Sequence, residues 1–129
     1  MKRLAAAICL TITVLFGSSK VSLSANLIKG WDAYQSGDFR TALREWNPLA
    51  EAGLPQAQFF LGKMYQEGQG VVQDYVYAYM WFNIVASKDY TNENVVSHRD
   101  AVKQLMTPAQ IAEAQKLARE CVRKKYKGC

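Results

Sequence analysis

Apolar side chains recur along this chain at helical spacing, in blocks separated by glycine, proline and capping residues. Ala57, Leu61, Met64 and Tyr65 follow an i, i+4, i+7, i+8 pattern, and Ala78, Trp81, Phe82 and Val85 share one face in the same way. The breaks are as regular as the blocks. A first helix is predicted from Leu27 to Ser36, with a turn at Gly37 and a second helix from Asp38 to Glu51. Gly53 ends that helix, and Pro55 suits the first turn of a third, from Pro55 to Gln66. A fourth runs from Asp74 to Ala86. Asp38 and Asp74 are natural N-caps, because a carboxylate there accepts from the free amides of the first turn. Further on, Thr91-Asn92-Glu93 opens a helix with Val95, Val96, Ala101, Val102, Leu105 and Met106 on its apolar side. Thr107-Pro108-Ala109-Gln110 combines a capping box with proline at the first helical position, and starts a last helix carrying Ile111, Ala114, Leu117, Ala118, Cys121 and Val122. No stretch shows sustained strand alternation.

The blocks repeat. Tyr34-Gln35-Ser36-Gly37-Asp38-Phe39, then Ala42, Trp46-Asn47 and Leu49-Ala50, are echoed by Tyr65-Gln66-Glu67-Gly68, then Asp74-Tyr75, Ala78, Phe82-Asn83 and Val85-Ala86. The offset is 31 residues before a five-residue insert, Gln69 to Gln73, and 36 after it. Each unit is helix, turn, helix, and the two are followed by an atypical pair of helices, as a stacked array needs at its end. The expected fold is all-α: a short right-handed α-solenoid of antiparallel helix hairpins, about two repeats plus a C-terminal capping helix pair. The units span 27–53 and 55–88, and the capping helices 91–125.

The N-terminus changes the chemical picture. Met1-Lys2-Arg3 precedes a 13-residue apolar run, Leu4 to Phe16, and a small-residue stretch ending at Ala25. That order is a secretory signal, and the run falls short of the roughly 20 residues a membrane span needs. Residues 1–25 are expected to be removed after Ala25, leaving 26–129 as one domain, exported to the periplasm or secreted. The loss of Lys2, Arg3 and Lys20 leaves 13 basic residues against 11 acids, a net charge of about +2 where the whole chain carries +5. Much of that charge is concentrated in Arg119, Arg123, Lys124, Lys125 and Lys127, so a nucleic-acid partner for the whole domain is not expected. Cys9 leaves with the signal. Cys121 and Cys129 remain as an even pair in an oxidising compartment, and a disulfide between them is expected. Eight residues of helix would hold them about 12 Å apart, beyond the roughly 7 Å a disulfide allows. The chain is therefore expected to turn at Tyr126-Lys127-Gly128. So short a loop contributes about 2–3 kcal/mol.

The segment Ala57-Gln58-Phe59-Phe60-Leu61-Gly62-Lys63-Met64-Tyr65-Gln66-Glu67-Gly68-Gln69-Gly70-Val71, with Asp74-Tyr75, Ala78, Trp81-Phe82 and Ala86, resembles the Sel-one-like repeat, a relative of the tetratricopeptide repeat. The first unit resembles a shortened version without the Gly-Gln-Gly-Val loop. The stretch from Arg99 to Ala118 is similar to closing helices of bacterial members. The resemblance speaks strongly to fold and weakly to function, since the family is united by architecture. It gives structural roles to Gly62, Tyr65, Gly68, Gly70, Asp74, Ala78 and Trp81. Gly62 would cost up to about 1 kcal/mol against alanine inside a helix, which makes sense where a partner helix crosses closest.

Catalytic constellations are absent or incomplete. His98-Arg99-Asp100 has the letters of a kinase catalytic loop, but Leu105 stands where the asparagine belongs and the phosphate loop is missing. His98 is the only histidine, so no imidazole cluster exists for a metal, and a surface helical role is expected for it. Gly68-Gln69-Gly70 follows no strand and is better read as a turn than as a phosphate cradle. Glu67 and Asp74 flank that turn, but Asp74 already serves as a cap. Neither cofactor nor metal is expected. The candidate partner contacts are Gln58, Phe60 and Lys63 on the third predicted helix, Tyr77 and Tyr79, which straddle Ala78 and cannot both face the core, and the basic tail Arg123, Lys124, Lys125 and Lys127. The expected function is a non-enzymatic protein–protein interaction module of the bacterial cell envelope, docking on another exported or membrane-anchored protein. The tail adds a weak contact with anionic surfaces. The alternative is a small envelope enzyme or binder acting on cell-wall or β-lactam material, since cysteine-rich relatives of the family have been linked to β-lactams.

Overall fold

A computed structural model describes residues 22–88 and 93–129. Helix α1 occupies 22–35, followed by α2 (Phe39–Glu51), α3 (Pro55–Glu67), α4 (Tyr75–Ala86), α5 (Glu93–Lys103) and α6 (Pro108–Arg123). Among the described residues there is no strand. The chain is an all-α solenoid of helical hairpins. The expected signal lies largely outside the described residues. Ser22 to Ala25, just before the expected cleavage point, form the exposed first turn of α1. The expected opening of α5 at Thr91 and Asn92 also lies outside the described residues.

The helix ends follow from local hydrogen bonding. Asp38 accepts from the Thr41 amide at 3.2 Å, and Asp74 from the amides of Val76 at 2.9 Å and Tyr77 at 3.2 Å. The Thr107 hydroxyl accepts from the Gln110 amide at 3.2 Å, while Gln110 Oε1 accepts from the Thr107 amide at 2.9 Å, so the capping box is complete. At its other end α3 stops on Gly68, whose φ of 67° lets the Gln69 amide reach back to the Met64 carbonyl at 2.9 Å.

Helix α4 is the shared wall. Ala78, Tyr79, Met80, Trp81, Phe82, Ile84 and Val85 are all buried, more than one stripe can supply. Met80, Trp81 and Ile84 join a core with Trp46, Leu49, Leu61 and Met64. Ala78, Tyr79 and Phe82 join a second core with Val102, Met106 and Ala114. Helices α3, α5 and α6 each pack on α4. The capping helices are covered more thinly than their spacing predicts. Val95, Val102 and Met106 are buried, but Val96, Leu105 and Val122 are 37%, 61% and 47% exposed, and Ala101 also faces solvent. Each of these helices has α4 on one side only, so a broad apolar face cannot be buried whole.

Two glycines admit the largest rings. A Cβ on Gly62 would stand 2.6 Å from the Phe82 ring, and one on Gly30 would collide with Trp46. The Gly62 contact is where α3 and α4 come together. The indole of Trp46 also donates to the Leu27 carbonyl at 3.2 Å, fastening α2 to α1.

Candidate functional site: partner-binding surfaces

An aromatic run begins on α1 and crosses the molecule. Phe60 is half-buried and stacks on Trp46 with centroids 4.5 Å apart and planes inclined by 16°. Trp31, 39% exposed, also packs against it, with centroids 5.4 Å apart. Ile28, one turn before Trp31 on α1, is 60% exposed. Lys63 follows Phe60 by one turn on α3 and is half-buried. Ile28, Trp31 and Phe60 therefore form an apolar surface across α1 and α3, with Lys63 one helical turn beyond Phe60.

The run continues through Phe59 and Phe82 to His98, whose ring lies 5.4 Å and 5.6 Å from theirs. His98 Nδ1 is 3.1 Å from Gln66 Oε1, a contact the Nδ1-protonated tautomer makes as donor. The bland surface role expected for this histidine is corrected: it fastens α5 to α3. Burial lowers its pKa below the ordinary histidine value, the nearby Lys63 charge lowers it further, and Glu67 partly offsets both. Arg99 and Asp100 pair with each other at 3.1 Å, so the three letters shared with kinases assemble no catalytic loop.

Two candidate contacts, Gln58 and Tyr79, are buried where a partner surface would need them exposed, and Tyr77 is half-buried. Gln58 is fully buried. Its amide donates to the Ala50 carbonyl at 2.9 Å, and its oxygen accepts from Lys88 Nζ at 2.8 Å. The Ala50 carbonyl, near the end of α2, also accepts from the Gly53 amide at 3.0 Å, so Gln58 reinforces that helix end. Tyr79 is 4% exposed and belongs to the second core, because α5 and α6 close over the side of α4 that a two-helix unit would leave open. Tyr77 is half-buried and stacks on Tyr65 with centroids 5.3 Å apart. Burial raises the Tyr65 phenol above its ordinary pKa, with Tyr77 and Asp74 adding to the effect.

Sequence reasoning missed Lys88 altogether. Besides Gln58, its ammonium donates to the Gly53 carbonyl at 3.0 Å and lies 4.4 Å from the Tyr126 ring centroid. One cation thus joins the α2–α3 turn, α3 and the C-terminal loop. A lysine just after a helix is too common a signal to have announced this. Gly30 was also missed, although glycine inside a helical pattern is a usable sign of close approach.

The basic tail is a closed loop. Cys121 and Cys129 are joined by a disulfide, with Cα atoms 5.6 Å apart. The turn comes earlier than expected, since α6 ends at Arg123. The Lys125 amide donates to the Val122 carbonyl at 3.0 Å and the Tyr126 amide to the Cys121 carbonyl at 2.9 Å, a Schellman pattern. Its left-handed positions are Lys125 (φ 54°) and Tyr126 (φ 65°), where a side chain costs about 1–2 kcal/mol per residue. The disulfide and the packing of Tyr126 against Gly53 and Lys88 hold them there. Arg123, Lys124, Lys125 and Lys127 all remain exposed.

Among the described residues no group of three or more His, Cys, Asp or Glu side chains could hold a metal ion, and no helix is long and apolar enough to cross a membrane. The Sel1 repeat family matches residues 55–90, which are α3, the inserted loop, α4 and the residues just after it. The crystal structure of c5321, a protective antigen present in uropathogenic Escherichia coli strains and displaying an SLR fold, is similar with a TM-score of 0.69 and 26% identity. The likeness covers 81% of this chain. The chain carries a Sel1-like repeat. No curated protein matches the chain significantly.

The chain spans about a quarter of the length of the SLR structure, 24% of it. Its matched Sel1 repeat is the hairpin in which Gly62 faces Phe82 and Asp74 caps α4. Ala78 and Trp81 are buried on α4, and Tyr65 lies half-buried beside them on α3. Such a repeat indicates a protein–protein interaction scaffold.

Proposed function

We propose that this Sel1-like repeat protein is a non-enzymatic docking module of the bacterial cell envelope, exported and bound to another exported or membrane-anchored protein. The observation that carries the reading is Trp31, which is partly exposed and rests on half-buried Phe60, with exposed Ile28 on the same side. Large aromatic side chains held in place by their neighbours lose little entropy on binding and make efficient anchors. Lys63 adds a cation beside them. The disulfide supports an oxidising compartment, where such bonds persist. A weak contact of Arg123, Lys124, Lys125 and Lys127 with anionic surfaces belongs to the same reading, as the closed loop presents these cations together.

The test is site-specific photo-crosslinking in the native host from Ile28 and Lys63, with Glu113 as a control. A discrete adduct with an exported protein from the first two sites, reduced at least about tenfold by Trp31→Ala, is expected. Adducts from Glu113 alone would overturn the assignment of this face. Binding to anionic vesicles, compared with a variant changing the four loop cations to glutamine, tests the loop, and equal retention at low salt would remove it from the reading.

A further inference from the structure

The seam between α4 and α6 holds a groove away from the aromatic face, edged on one side by the first residues of the disulfide-closed segment. Its volume is about 270 Å3. Ile84 and Ala118, 1% and 4% exposed, form its floor, while Val122, 47% exposed, and Arg119 stand at its edge. The hydroxyl of Ser87, which also lines it, already donates to the Ile84 carbonyl at 2.7 Å. The volume falls below the roughly 300–1,000 Å3 of pockets that enclose whole small molecules. One or two aliphatic side chains projecting from another surface would fill it.

The charge beside the groove has one sign. Lys116, Arg119 and Arg123 follow one another at i, i+3 and i+7, which places them on one stripe of α6. Lys116 is held 4.0 Å from Glu120, whereas Arg119 and Arg123 form no ion pair among the described residues. Lys124, Lys125 and Lys127 extend the same field past the helix end. A second copy of the chain docking through this face by two-fold symmetry would set the stripe against itself, cation to cation. A polyanion without apolar groups would meet the cations and leave the floor unfilled.

We infer that the α4–α6 groove docks an acidic amphipathic helix of a protein partner, its aliphatic side chains over Ile84, Ala118 and Val122 and its carboxylates against Arg119 and Arg123. This rests on the reading of the chain as a docking module but uses a face away from Trp31 and Phe60. A helix laid along the furrow between two others presents apolar anchors on one face and charge at the flanks, as the groove requires. Charge sets orientation and encounter rate, and the anchors supply affinity.

The experiment is methyl NMR on the disulfide-intact chain, titrated with a synthetic helical peptide bearing two leucines one turn apart, flanked by glutamates. Two control peptides replace the glutamates by lysine or the leucines by serine. The glutamate–leucine peptide is expected to shift the Ile84 and Val122 methyls, and both controls to bind at least about tenfold more weakly. The double variant Arg119→Glu, Arg123→Glu, altered only at exposed positions and checked by an unchanged melt, is expected to reverse the preference toward the lysine peptide. Equal binding of the glutamate and lysine peptides would overturn the inference, as would shifts confined to the Ile28 methyls of the aromatic face. Anionic vesicles perturbing the same methyls as strongly as the peptide would also overturn it. A crosslinked partner at Ile28 or Lys63 with silent groove methyls would sink this inference and leave the docking-module reading standing. Shifting methyls without those crosslinks would do the reverse.

Discussion

The two hairpins reverse direction by different means. Between α1 and α2 the chain leaves the helix at Ser36 and passes from Gly37 directly to the Asp38 cap, and a Cβ at Gly37 would meet nothing within 4 Å. Between α3 and α4 it travels from Gly68 to Asp74, five residues longer in sequence. Both turns are hydrogen-bonded, but the longer one also reaches the other hairpin. The Asp74 amide donates to the Tyr65 carbonyl at 3.0 Å, and the Gln73 side chain to the Gln66 carbonyl at 2.9 Å. Gly70, with φ 72°, lies against Phe39 and Leu43 of the other hairpin, where a Cβ would come within 2.9 Å of the Phe39 Cβ. Val71 packs on the first core, and Gln69 lies near the Tyr34 phenol, whose pKa is raised chiefly by burial. An insert that looks like slack in the sequence is a joint between repeats.

The strongest test of the comparison removes the ring each hairpin closes upon. Trp46→Ala and Phe82→Ala should each cost about 3–5 kcal/mol in denaturant unfolding. They should differ in reach, because Phe82 also carries His98. Hydrogen exchange across α5 should accelerate in Phe82→Ala and stay near wild type in Trp46→Ala, and equal acceleration would break the assignment. The turns themselves come next. Gly37→Ala should cost about 1–2 kcal/mol for its left-handed backbone alone. Gly70→Ala adds a collision with Phe39 and should exceed it by about 1 kcal/mol or more. Chemical denaturation of the pair would show whether the insert is a joint, and equal costs would mean it is not.

The caps sharpen the contrast further. Asp74 serves two amides and Asp38 one. Asp74→Ala should cost about 0.5–2 kcal/mol, and Asp38→Ala less, as read from thermal melts of the two variants. The smallest effect is a pH response specific to the second repeat. His98 has a folded pKa below its ordinary value, so the fold favours the neutral ring. That contribution is complete above the unfolded pKa of about 6.5 and is lost as pH falls through the lower folded value. Acidification from about pH 7 to 5 should loosen α5, seen as faster exchange there, and His98→Gln should flatten the response. An unchanged profile in the variant would remove His98 as its source.

Much of this architecture is written locally. A cap is a bond between residues two or three apart, and Asp38, Asp74 and the Thr107–Gln110 box could be read because both partners lie within one turn. Helical spacing likewise showed which side chains share a face, and the spacing of the two units showed that they repeat. Tertiary structure decided what covers each face. Helix α4 is buried nearly all round because α3, α5 and α6 arrive from different parts of the chain, so Tyr79 entered a core that its spacing alone did not assign it to. Helix α5 has α4 on one side, which leaves Val96 to solvent, and Leu105 is exposed in the turn that follows it. Packing also overrules local preference. Helix α2 continues through Pro48 because buried Trp46, Leu49 and Ala50 flank it, and Lys125 and Tyr126 take left-handed conformations that a disulfide and a distant lysine hold in place. Lys88 reaches Gln58 and Gly53, 30 and 35 residues away in sequence. Periodicity carries no information about such pairs, since it records the spacing of residues along one helix and not the identity of the neighbour across from it.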